Sequence, residues 1–73
     1  MDAKRDLWSG AYRLYQEWCR EAESAGVDYA EFFIRLAGEI KEKCAGENEE
    51  GKELWKCVYT MIERRVTKMT EET

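Results

Sequence analysis

Apolar residues recur along this chain at steps of three and four, over arcs too wide for a lone small bundle. At ~100° per residue, each helical segment carries an apolar arc of roughly 160–200°. A helix in a small monomeric bundle needs an arc of only about 100° or a little more. The excess is largely aromatic: Trp8, Tyr12, Tyr15, Trp18, Tyr29, Phe32, Phe33, Trp55 and Tyr59. No stretch shows the two-residue alternation of a half-buried strand. The pattern predicts an all-α fold, an antiparallel up-down-up bundle of three helices that assembles through its surplus apolar face.

Local signals place the helix ends. The first helix is expected over residues 3–25, with Asp2 as cap and Gly26 as a left-handed stop. Asp28 with Glu31 forms a capping box, and Val27 with Phe32 the accompanying hydrophobic staple. Stop, cap and staple follow one another within a few residues, so the second helix must reverse against the first. It is expected over 29–45, ended by Gly46. Asn48 caps a third helix over about 49–69, and residues 70–73 read as a fraying polar tail. The whole chain, 1–73, reads as one domain.

Composition narrows the function classes. The chain has no His, the commonest metal ligand and general base. Its three cysteines have neither the close spacing of a zinc site nor an easy disulfide geometry in an up-down-up bundle. They are expected to be free, packing as small hydrophobes. The acidic group Glu47, Glu49, Glu50 and Glu53 reads as a solvated run beside a helix start. No nucleophile motif or phosphate-cradling glycine loop is present, so no enzyme activity and no cofactor is expected. Net charge is −4, and the 12 basic residues form no stripe of the kind that grips nucleic acid. No run approaches the ~20 apolar residues of a membrane span. The first residues carry no apolar signal segment, so the chain reads as a complete cytoplasmic reading frame.

Residues 22–34 have the outline of a helix-turn-helix, with a glycine in the turn. The second helix, however, opens on Asp28, Tyr29, Ala30 and Glu31, which offer nothing to base edges and repel phosphates. A DNA-binding regulator is therefore the alternative class rather than the first.

Arg65 falls inside the apolar arc of the third helix. Two roles follow: its stem packs while its head reaches water, or it pairs with Glu17 or Glu21 of the first helix. The residues at the flanks of the arcs are the candidate interface: Trp8, Tyr12, Ile34, Trp55 and Tyr59, joined by Arg65. Tryptophan, tyrosine and arginine are the types enriched at binding hot spots. The expectation is a small regulatory module that works by binding protein, with a homodimer as its first assembly. Its size and acidic helical composition suit an accessory protein of a phage or other mobile element.

Overall fold

The computed structural model describes residues 3–71. They form helices α1 (Ala3–Ala22), α2 (Tyr29–Ala45) and α3 (Glu49–Glu71). Among the described residues there are no strands. The Asp2 cap lies outside them.

The three helices run up, down and up. Lys4 near the start of α1 meets Glu50 near the start of α3, and Arg65 far along α3 reaches Tyr15 and Glu23. The end of α2 returns to the start of α3, where the Cys44 thiol lies 3.8 Å from the Lys52 carbonyl. The body measures 42 × 19 × 15 Å, as expected for helices lying side by side.

Each helix contributes a line of buried residues. From α1 come Ala11, Leu14, Trp18, Cys19 and Ala22; from α2, Phe32, Leu36 and Ile40; from α3, Trp55, Val58, Ile62 and Val66. The helix α3 packs closely along both others, whereas α1 and α2 approach each other much less. Side-chain size accounts for this. Between α1 and α2 stand Trp18 and Phe32, edge to face with centroids 5.0 Å apart. Phe32 also meets Tyr29 and Phe33 edge-on and is fully buried. Rings hold two helix axes apart, while the small Ala11, Cys19 and Ala22 on α1 bring a neighbour close.

The connections follow the local signals, with one correction. The first helix ends at Ala22 rather than Ala25. Its last turn tightens: Glu23 N–H is shared between the carbonyls of Cys19 and Arg20, and Ser24 N–H donates to Glu21. The Tyr29 hydroxyl donates to the Ala22 carbonyl at 3.1 Å, taking the place of a continuing helix bond. Gly26 then supplies the one positive φ among the described residues, +79°, which reverses the chain. Asp28 accepts from Ala30 and Glu31 amides, and Val27 packs on the buried cluster that holds Phe32. Asn48 accepts from Gly51 N–H at 2.9 Å, as an N-cap should. The third helix runs on through Thr70 and Glu71, so the polar tail is helical that far.

Candidate association surface

The bundle has three long grooves, and they differ in chemistry. The groove between α1 and α2 is bridged by polar contacts around Trp18 and is open to about 300 Å³ beside Leu7, Gly10 and Lys43. Trp18 Nε1–H donates to Glu39 Oε2 at 2.9 Å, Arg35 pairs with Glu21, and the Arg35 guanidinium lies 5.3 Å above the Trp18 ring. The groove between α2 and α3 is apolar at its floor, with Ala37, Ile40, Cys44 and Tyr59 edged by Lys41 and Lys56 around about 500 Å³. Burial, and next Glu63, pushes the Tyr59 hydroxyl pKa above its usual value.

The groove between α1 and α3 carries most of the exposed apolar bulk. Trp8, with Leu7, Gly51 and Leu54, lines an open cleft of about 650 Å³. Tyr12 stands over Tyr15, Cys19 and Arg65 further along the same pair of helices. Met61 lies one helical turn before Arg65 and two turns after Leu54, which puts it on this flank of α3. Trp8 is 63% exposed, Tyr12 64% and Met61 52%. Among the described residues the one other large exposed hydrophobic is Ile34, 73% exposed on α2.

The residues singled out from the sequence therefore do not form one surface. Trp8 and Tyr12 share the α1–α3 face. Ile34 and Tyr59 belong to the other two helices, with Tyr59 half-buried in their groove. Trp55 is a core residue at 5% exposure, with Lys43 Nζ 5.9 Å from its ring centroid. It sits in the middle of the α3 arc that meets both neighbours, so Leu54 and Met61 become the edge facing α1.

The same rotation explains Arg65. It lies at the edge of the buried arc, with its side chain half exposed. Its Nη1 donates to the Tyr15 hydroxyl at 3.3 Å, and its Nη2 lies 3.6 Å from Glu23 Oε1. Neither Glu17 nor Glu21 is its partner. Glu21 projects toward α2, where Arg35 holds it, whereas Glu23 comes round to the α3 side. The Tyr15 hydrogen bond, with Cys19 and Glu23 nearby, raises the Arg65 pKa further above its already high value. Exposed pairs of this kind are screened by water, so Arg65 orients the α1–α3 face more than it stabilises the fold.

Cys19 is buried, Cys44 partly buried and Cys57 exposed, and all are free thiols. Burial pushes the Cys19 thiol pKa up, which suppresses the thiolate. Among the described residues no charged or polar residue is buried, and no group of side chains has the arrangement of a metal site. No helix there is long and apolar enough to cross a membrane.

The pair α1–α2 also departs from a helix-turn-helix. That motif holds its helices near a right angle. Here α2 runs back along α1, with Glu39 beside Trp18 and Lys43 near Leu7 and Gly10.

The area is informative as well. The chain exposes 5567 Å². A folded monomer of 8.6 kDa is expected to expose about 4,700 Å². The excess goes with the elongated body, 42 × 19 × 15 Å. Comparison with protein-family models, curated proteins and solved structures finds no match.

Proposed function

We propose that this chain is a small association module that acts by binding protein through its α1–α3 face, with a homodimer as its first assembly. Its mechanism is occupancy rather than chemistry: aromatic and thioether side chains fill a partner's surface, and the charged rim selects the partner. One observation carries this reading. Among the described residues, three of the four large exposed hydrophobics, Trp8, Tyr12 and Met61, lie on one face, beside the clefts that α1 and α3 line together. Apolar surface gathered in this way is stabilised by leaving water, at roughly 25 cal/mol per Å² before the costs of association are subtracted.

Sedimentation equilibrium from about 1 to 100 µM tests it, a span that brackets the affinities of ordinary interfaces. The expected mass is twice the 8.6 kDa of the chain, with Trp8→Ala/Met61→Ala shifted toward monomer at unchanged helicity. A wild-type monomer across that range would remove the homodimer as the first assembly.

A further inference from the structure

The α1–α3 flank of α3 has an order of charge that points to its occupant. Taken at steps of three and four, this flank reads Glu50, Glu53, Cys57, Met61, Arg64, Lys68 and, at its last step, Glu71. All seven are exposed. The flank is acidic at its start, soft and apolar in the middle, and basic at Arg64 and Lys68 before the terminal Glu71. Reversed against itself, it is complementary about a midpoint level with Tyr59. Glu50 falls opposite Lys68, Glu53 opposite Arg64, and Cys57 opposite Met61.

The helix dipole does not account for this order. It favours acids in the first turn and bases in the last, and it fades within a turn. Glu53 and Arg64 lie beyond those turns. The opposite flank of the same helix does not repeat it, with Glu49, Lys52 and Lys56 early and Glu63 late. The gradient belongs to the flank beside Trp8 and Tyr12, and it coincides with the exposed apolar bulk.

We infer that the occupant of this face is a second copy of the chain, with α3 lying antiparallel along α3 of its partner about a two-fold axis level with Tyr59. This rests on the association reading above. A two-fold interface is self-complementary, and a reversible charge pattern centred on apolar residues has that property. The ion pair of Lys4 with Glu50 is open to water on both sides and does not prevent Glu50 from meeting a partner's charge. Each Cys57 lies two residues from the axis, ~3 Å along the helix, which brings the two thiols within reach of a short bis-maleimide.

Charge exchange between two variants tests the arrangement. Glu50→Lys/Glu53→Lys sets like charges against the partner's Arg64 and Lys68, and Arg64→Glu/Lys68→Glu does the reverse. Each variant alone is expected to dimerise at least about tenfold more weakly, the weakening being larger at low salt. An equimolar mixture is expected to regain nearly the wild-type affinity, because both contacts of the mixed dimer are then opposite in sign. Packing of α3 on the partner's α1 gives no such rescue, and parallel α3 packing, which sets like charges together in the wild type, leaves each variant alone no weaker than wild type and makes the mixture tighter than wild type. The wild-type dimer is also expected to cross-link through Cys57, a readout independent of how well the variants fold. A dimer that does not cross-link, or whose variants taken singly are no weaker than wild type, overturns the antiparallel arrangement and leaves the association reading standing. A wild-type monomer overturns both.

Discussion

Gly10, Gly38 and Gly51 occupy helical positions, yet a methyl group would meet different surroundings at each. A Cβ built on Gly10 or Gly38 finds no atom within 4 Å. One on Gly51 comes within 2.8 Å of the Glu47 Cβ and 2.6 Å of its carboxylate. Gly10→Ala and Gly38→Ala are therefore expected to stabilise the chain by about 0.5–1 kcal/mol each in urea unfolding. Gly51→Ala is expected to lower stability by about 1 kcal/mol or more, because the loop at Glu47 must move. Equal responses at the three sites would contradict the packing of Glu47 over the start of α3. The sequence alone offers no means of ranking these three of its five glycines. Trp55 and Leu54 make the same point. Both are apolar neighbours, and only the positions of α1 and α2 decide which of them is core and which is edge.

At the scale of the elements, local chemistry was legible wherever the interaction is local. Asp28 and Asn48 cap the helices that follow them, and residues 29–45 form the second helix as the sequence predicts. The end of α1 was misplaced because its stop depends on Tyr29, seven residues on, whose hydroxyl takes the Ala22 carbonyl. Tyr29→Phe removes that donor and keeps the ring against Phe32. It is expected to cost about 0.5–1.5 kcal/mol and to speed hydrogen exchange over the last turn of α1. Asn48→Ala is expected to cost about 1 kcal/mol and to fray α3 instead. Exchange that leaves α1 unchanged in Tyr29→Phe would show that the Gly26 turn alone ends the helix.

For the whole molecule, the two groups pushed up by burial set a direction for stability with pH. Cys19 is raised first by burial, and Tyr59 by burial and then by Glu63. In each case the folded chain holds the proton more tightly than the unfolded chain, so unfolding releases protons and stability falls as pH rises. The contribution is full below the unfolded thiol value of about 8.5, and it is lost as pH rises toward the folded values, with tyrosine joining above about 10. Tm is expected to fall steadily above about pH 9, and less steeply in Cys19→Ala/Tyr59→Phe. An equal slope in that variant would mean that neither group is more protected in the folded chain.

By itself the sequence determined the class of the fold, the order and approximate length of its helices, and the residues that cap α2 and α3. Periodicity and capping act within a few residues along the chain, so they are written in it directly. It also determined that apolar surface would be in excess. Which part of each wide arc turned inward was decided only by the tertiary structure. An arc of roughly 180° gives several rotations of a helix with similar burial, and the choice among them falls to the neighbours. Trp18 and Phe32 hold α1 and α2 apart, and α3 settles with Trp55 and Ile62 at the centre. That rotation buries Trp55, half covers Tyr59, pairs Arg65 with Glu23, and leaves Trp8, Tyr12 and Met61 on one face.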